Sequence, residues 1–250
     1  MHSPTLRVIK IINLISSNNG LLTLSDISKY AEIPIGTLHP ILRTLTELNF
    51  VSFNPQKNTY SIGIKLFISG NAFIQSKDSL SGIEHVLEEL TFKSGETSHF
   101  AKLDGGNVLY LAKVESMKPV RMYSAIGKQL PAYGTSLGKA LMSGMTKNEI
   151  KALYPNGLIA LTEHTITDFD VLYSQIESIR EVGFAYECEE SNEGVRCIAV
   201  PVEKEGRIVA AISIGIPVFR YTEVKKVEFE NMLKVAKVDV EKIITYLDYI

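Results

Sequence analysis

No stretch of the 250-residue sequence approaches the roughly 20 consecutive apolar residues that a membrane-spanning helix needs. The segment from Met1 to Asn19 also lacks the small-residue cleavage pattern of a signal peptide, so the expected compartment is the cytoplasm. Cysteine is scarce: Cys188 and Cys197 are the only two, and they lack the C-x-x-C spacing of zinc or redox sites, which argues against a disulfide framework. Neither His85 nor His99 has acidic or cysteine partners at metal-ligand spacing. No metal and no cofactor is expected, and both histidines read as structural. A large net charge is missing too, the formal value being -2, but the small sum conceals an asymmetry. Residues 1–77 hold Arg7, Lys10, Lys29, Arg43, Lys57, Lys65 and Lys77 against Asp26, Glu32 and Glu47, a surplus of positive charge, and the rest of the chain is acidic. A basic segment attached to an acidic one suits a polyanion-binding module carried by a body that does not itself bind polyanions.

What is present begins with apolar periodicity. Ser3-Pro4 opens a helix, because proline in the first turn forfeits only a hydrogen bond that would be unmade anyway. Val8, Ile11, Ile12 and Ile15 form its stripe, and Ser16 to Gly20 ends it. Thr23 with Asp26 gives the next start signal. Leu24, Ile27 and Ala31 then line one face of a short helix, Glu32-Ile33-Pro34 interrupts, and Leu38, Ile41, Leu42, Leu45 and Leu48 form a second stripe. The opposite face of that second helix carries Gly36, His39, Pro40 and Arg43. Pro40 favours a helix start at Gly36 or Thr37, which places the ring at the edge of the tolerated first turn. Val51 to Phe53 and Thr59 to Ile62 are short extended runs around an Asn-Pro-rich turn, a plausible β-wing. From Ile62 to Ser76 an apolar helix follows that needs a partner, and it marks the boundary between the basic and acidic parts.

The acidic part opens with a helix from Ile83 to Ser94. Strands are expected over Thr97 to Leu103, Val108 to Glu115, Val120 to Ile126, Phe184 to Glu189, Arg196 to Glu203 and Ile208 to Ile216, the first two joined by the hairpin signal Asp104-Gly105-Gly106-Asn107. Helices are expected from Ser136, from Lys147 and from Asp168 to Glu181. A closing helix carries Phe229, Leu233, Ala236, Val240, Ile243 and Leu247. Antiparallel hairpins with helices before, between and after them argue for an α+β domain, with one face or end free to form a pocket.

Two motifs invite an enzymatic reading. Gly134-Thr135-Ser136-Leu137-Gly138 matches the G-x-S-x-G nucleophile elbow, which would make Ser136 the centre of an esterase or amidase. An elbow needs a buried strand before it, whereas Leu130-Pro131-Ala132-Tyr133 precedes it here, and only His164 follows. Gly138-Lys139 mimics a phosphate-binding loop, but the spacing is one short and Ala140 replaces the metal-binding hydroxyl. The segment reads better as a Gly-rich turn entering a helix whose free N–H groups suit a carboxylate. No catalytic residue is assigned.

The passages IPIGTLHPILRTLTELNFV, SGETSHFAKLDGGNVLYLAKVES, LPAYGTSLGKALM, GFAYECEESNEGVRCIAVPV and GRIVAAISIGIP together resemble the isocitrate lyase regulator (IclR) family of bacterial transcription factors over nearly the whole chain. The resemblance implies an N-terminal winged helix-turn-helix over residues 1–63, a linker helix over 64–80, and a GAF-like antiparallel sheet with covering helices over 81–250 that binds an effector and oligomerises. It implies a homodimer or dimer of dimers on double-stranded operator DNA, with no membrane partner. The residues expected to face DNA are Gly36, Thr37, His39, Arg43 and Thr44 on the second helix, Lys57 in the wing, and Arg7 and Lys10 on the first helix, few of which make bidentate contacts to bases. Pro40 departs from the family, which commonly has a basic residue there. By resemblance the effector pocket is lined by Ser136, Leu137, Glu187, Cys197, Ser213 and Gly215. Glu187 stands where many members have aspartate and Gly215 where serine is common. Without the family, Glu187, Glu189 and Glu190 read as a solvated acidic strand edge, and Cys197 as a small buried core residue. A sensor whose first domain makes protein contacts remains the other reading.

Overall fold

The computed structural model describes residues 2–18, 20–75, 78–119 and 124–245. Its chain divides into two compact units, Met1–Lys77 and Asp78–Ile250.

In the first unit, α1 (Ser3–Ser17) has Pro4 in its first turn and buries Ile11 and Ile15. Thr23 caps α2 (Leu24–Ala31) with a reciprocal box: Asp26 N donates to Thr23 Oγ1 at 3.3 Å, and Thr23 N donates to Asp26 Oδ2 at 2.9 Å. Two backbone donors that a helix start leaves open are thereby satisfied. Helix α2 ends at Glu32 in the left-handed region, φ 55°, and α3 (Ile35–Glu47) buries Leu38, Leu42 and Leu45 against Ile11, Ile15 and Ile27. Strands β1 (Val51–Asn54) and β2 (Thr59–Ile62) pair antiparallel from Val51↔Ile62 to Asn54↔Thr59. The Asn54 side chain accepts from Gln56 N and Lys57 N to shape the tip. Leu22 bridges Tyr60, so the wing is tied to the start of α2. Helix α4 (Ile64–Gln75) follows with Ile64, Phe67 and Ile68 exposed.

The second unit comprises α5 (Asp78–Ser94), β3 (Thr97–Asp104), β4 (Asn107–Val114), β5 (Gln129–Pro131), α6 (Ser136–Met142), α7 (Lys147–Leu153), α8 (Phe169–Val182), β6 (Ala185–Cys188), β7 (Val195–Lys204), β8 (Arg207–Pro217) and α9 (Glu223–Ile244). The strands form one antiparallel sheet in the order β5-β4-β3-β8-β7-β6. Alternation along the strands separates two cores. Phe100, Ile198, Val200, Ile212 and Ile214 face α5 and α9, whereas Ala101, Ala185, Ala199 and Ala211 face α6 and α8. Both faces are therefore covered, and a pocket has to lie between sheet and helix instead of on an open face.

Most of the strand expected over Val120 to Ile126 lies outside the described residues, as does Leu247; Ser124 to Ile126 is not strand. One of the two edge strands is β5, in a stretch that reads from sequence as a loop. Proline is tolerated there because an edge position leaves its missing N–H unneeded.

The alanine face lets α6 approach closely. A Cβ at Gly138 would fall 2.0 Å from the Ala132 carbonyl oxygen, so only glycine permits this crossing of helix and preceding turn. Gly138→Ala is expected to cost about 3 kcal/mol or more through overpacking against backbone, read as a lowered urea midpoint with an unchanged m-value.

Candidate functional site

On the first unit, α3 presents Gly36, His39, Pro40, Arg43 and Thr44 to solvent, with Thr37 half-buried, and Arg7, Lys10 and Lys57 are exposed on α1 and the wing tip. The residues expected to face DNA thus fall on three elements. Two of the cations are already engaged: Arg43 Nε meets Glu47 Oε1 at 2.8 Å and Lys10 Nζ meets Glu32 Oε2 at 3.5 Å. The helix begins earlier than Pro40 suggests. Pro34 is the N-cap, its carbonyl accepting from Thr37 N and Leu38 N at 2.9 Å, and Pro40 lies inside α3. Burial of Leu38 and Leu42 on the inner face holds the first turn, and the proline ring sits on the exposed face, where water can take up the Gly36 carbonyl left without an N–H donor.

In the second unit, a cavity of about 40 Å³ lies between the sheet and the start of α6, room for a few water molecules. Ser136, Leu137, Glu187, Cys197 and Ser213 line it, with His99, Tyr110, Ser124, Leu130, Thr135, Ser191, Asn192 and Val195. Gly215 is not among the lining residues. It stands in the cross-strand row Glu187–Cys197–Gly215–Thr97. Cys197 is half-buried at the cavity, not packed in a core. Burial pushes its thiol well up, with Glu187 adding to the shift.

Glu187 and Glu190 correct the expectation of a solvated acidic edge: they are 4% and 6% exposed. Glu190 Oε1 pairs at 2.5 Å with Lys139 Nζ, itself 1% exposed, which also donates to Gln175 Oε1 and the Tyr186 carbonyl. Burial lowers Lys139 and raises Glu190, and each partner's charge opposes the shift. The lysine that mimics a phosphate-binding loop is thus an internal counter-ion. Glu187 Oε1 accepts from Glu190 N at 3.0 Å and Ser191 N at 3.3 Å. Burial raises Glu187 to about 7. Its Oε2, the Ser136 Oγ and Glu190 Oε2, all buried, have no oxygen or nitrogen hydrogen-bond partner among the described residues, the Cys197 thiol alone reaching toward Glu187 and Ser136 as a weak one.

His99, Tyr110 and Ser124 were not legible as pocket residues. His99 Nδ1 lies 3.3 Å from Ser213 Oγ and Nε2 lies 2.7 Å from Ser124 Oγ. Burial, with Lys113 nearby, lowers its pKa to about 3, so the ring is neutral. The available signal was the polar run Thr97-Ser98-His99, buried together with Phe100 and Ala101 at the start of β3. With both His99 nitrogens engaged elsewhere, no base is hydrogen-bonded to Ser136, which opens a helix after a 3₁₀ turn and not after a buried strand. The hydrolase reading fails on this geometry. Among the described residues no three His, Cys, Asp or Glu side chains converge as a metal site. A wider groove of about 260 Å³ between α5 and α9 is lined by Val86, Leu90, Met232 and Val235, and its Glu89 and Lys93 pair with each other.

A family model described as the bacterial transcriptional regulator IclR C-terminal domain matches residues 72–242, and one described as the IclR helix-turn-helix domain matches residues 5–55. The HTH-type transcriptional regulator KdgR of Escherichia coli K12 is 31% identical over 249 residues, covering 99% of this chain and 94% of that protein. The crystal structure of the Thermotoga maritima IclR is 28% identical, covers 98% of this chain and all of that one, and superposes with a TM-score of 0.70. An IclR homolog from Microbacterium hydrocarbonoxydans, complexed with 4-hydroxybenzoate, shares the fold at 20% identity and a TM-score of 0.76 over 95% of this chain and 97% of that one.

Two outcomes test the buried charges. Lys139→Met should cost about 3–5 kcal/mol in chemical denaturation, because Glu190 is left buried and unpaired, and adding Glu190→Gln should recover much of the loss. Glu187→Gln should act in the opposite sense. A carboxyl raised from 4.5 to about 7 is disfavoured as the anion, so wild-type stability falls as pH rises through that window and is level above it. The variant should therefore be more stable than wild type above about pH 7, by about 3 kcal/mol, and the advantage should vanish below about pH 4.5.

Proposed function

The chain belongs to the IclR family of bacterial helix-turn-helix transcriptional regulators, and from that premise we propose that it binds operator DNA through the exposed face of α3 and changes its affinity when a small carboxylate enters the cavity beneath α6. The observation that carries the effector half is the pair of buried, unpartnered oxygens, Ser136 Oγ and Glu187 Oε2, at one cavity. Buried polar atoms are normally satisfied, and two orphans facing one space mark a place where a ligand completes the bonding. The 4-hydroxybenzoate bound by one neighbour is a carboxylate of the same broad class. An aromatic acid needs more room than this cavity offers in its present form.

Residues 1–63 act as the winged helix-turn-helix, 64–80 as the linker, and 81–250 as the effector and oligomerisation domain. Ile64, Phe67 and Ile68, exposed on α4, suit burial against a second copy, and the working form is a homodimer or a dimer of dimers. A dimer sets two α3 helices in successive major grooves, about 34 Å apart or a multiple of it. Among the described residues no helix is long and apolar enough to cross a membrane, and the protein works in the cytoplasm on DNA. Ligand control follows if the effector binds one arrangement of the DNA-binding domains better than another.

Gly36 and Thr37 meet phosphate at the start of α3, His39, Arg43 and Thr44 lie along the groove, and Arg7, Lys10 and Lys57 meet the backbone. In electrophoretic retardation with genomic fragments, Lys57→Ala should weaken binding evenly across sequences and reduce the slope of log affinity against log salt by about one. His39→Ala should change discrimination between fragments. Failure of the intact protein to retard any fragment at moderate salt would sink the regulator reading.

A further inference from the structure

The cavity beneath α6 holds an acid, Glu187. Among the described residues that line it there is no lysine or arginine. The groups facing Glu187 are His99 from β3, Tyr110 from β4, Cys197 from β7, Glu190 from the turn after β6 and Lys139 from α6; a second pocket that Glu187 borders also holds Arg196, which donates to Cys188 and stacks on Tyr221, and Lys226, which pairs with Glu230. His99 is neutral, with both nitrogens engaged by serines. Burial holds Tyr110 and Cys197 as neutral phenol and thiol. Lys139 is committed to Glu190 at 2.5 Å and to Gln175 and the Tyr186 carbonyl. An anion entering beside an ionised Glu187 would bring two negative charges together in a buried space where none of the described cations is free, the situation in which a pair of carboxyls retains one proton between them.

We propose that Glu187 receives the effector as a carboxylic acid, its Oε2 donating to the ligand carboxylate while Ser136 Oγ donates to the same group, so that binding takes up one proton from solvent. The inference rests on the effector reading given above. It makes Glu187 a donor where an ionised acid is only an acceptor, and so selects carboxylates over neutral molecules offering hydroxyl or ammonium donors. Oε1 keeps the Glu190 and Ser191 backbone donors, which leaves Oε2 as the oxygen that carries the proton. Burial keeps the free carboxyl near half-protonated at neutral pH, so the uptake lies within the range a cell experiences.

Glycolate, lactate and 3-hydroxybutyrate, each beside its neutral amide, are the probes, with binding to the intact protein read by thermal shift and calorimetry at about pH 6 and about pH 8. All three acids stay ionised over that range, so the pH dependence reports the protein. The expected result is that at least one carboxylate binds, that its amide does not, and that its dissociation constant is about tenfold weaker at the higher pH. Calorimetry in buffers of different ionisation enthalpy should then show close to one proton taken up per ligand at about pH 8. Glu187→Gln, whose amide keeps an acceptor for the backbone donors and presents N–H to the ligand, should bind the same carboxylate with the low-pH affinity at both values. Ser136→Ala should weaken binding by a similar factor at both. Amides binding as well as acids, affinity independent of pH or rising with it, loss of binding in Glu187→Gln at both pH values, or no binding by any probe would each overturn the proposal. Operator retardation by the same preparation reports separately on the regulator reading and is unaffected by those outcomes.

Discussion

The buried pair of Lys139 and Glu190 fixes the geometry on which the cavity depends. One ammonium reaches Glu190 Oε1, the Gln175 side chain and the Tyr186 carbonyl, and so ties α6 to α8, to β6 and to the turn that follows it. Two ions taken out of water gain little net stability from their attraction, but removing one strands the other. The pair is therefore better understood as a device of specificity than as a source of stability. Strand β6 ends the sheet, and the ammonium on the Tyr186 carbonyl fastens that last strand to α6. With the 189–190 turn held in place, the backbone N–H groups of Glu190 and Ser191 converge on one oxygen of Glu187. That convergence is what leaves the other oxygen without a partner.

The same logic appears in the rows of side chains running across the sheet. On the α6 face, Ala101 pairs with Ala211, the next row holds His99, Ser213, Ala199 and Ala185, and the row beyond holds Thr97, Gly215, Cys197 and Glu187. Small residues bring α6 down onto the sheet, with Gly138 against Ala132. Polar ones begin where the helix starts and the two layers part. The cavity is thus the seam between a packed region and a polar one, and its residues come from all six strands, from α6 and from the loops that carry Ser124, Thr135, Ser191 and Asn192. On the other face, Ile198, Val200, Ile212 and Ile214 pack under α5 and α9.

How far the sequence disclosed this depends on how local each feature is. The capping box at Thr23, the stripes of α1 to α3 and the hairpin turn at 104–107 are set by neighbours within a few positions, and all were legible. Strand β5 was not, because three residues ending in proline become a strand only through pairing with β4. The burial of Glu187 and Glu190 was hidden for a similar reason. A Glu-Cys-Glu-Glu run looks solvated until Lys139, far away in the chain, is placed beneath it. At Pro40 the local rule favoured a later helix start, and tertiary packing of Leu38 and Leu42 overrode it. Five of the six residues assigned to the pocket by family resemblance line one cavity, whereas His99 and Tyr110 needed the register of the sheet to be seen.

The surface charges of the first unit bear on how such a protein can be controlled. Arg43 and Lys10 are each paired on the protein's own surface with a glutamate. Exposed pairs of this kind contribute little, so a phosphate can displace either glutamate at small cost, but neither cation is a free, pre-organised reader of guanine. On the proposed reading a single α3 is then a weak ligand for DNA, with His39, Thr37 and Thr44 beside the paired Arg43. On the proposed reading, useful affinity comes from two copies engaging together, where the second contact is gained at high effective concentration only if the spacing matches the groove. Binding that depends on spacing is easily switched. A modest difference in effector affinity between two arrangements of the dimer changes the fraction able to span both half-sites, without any contact between ligand and DNA.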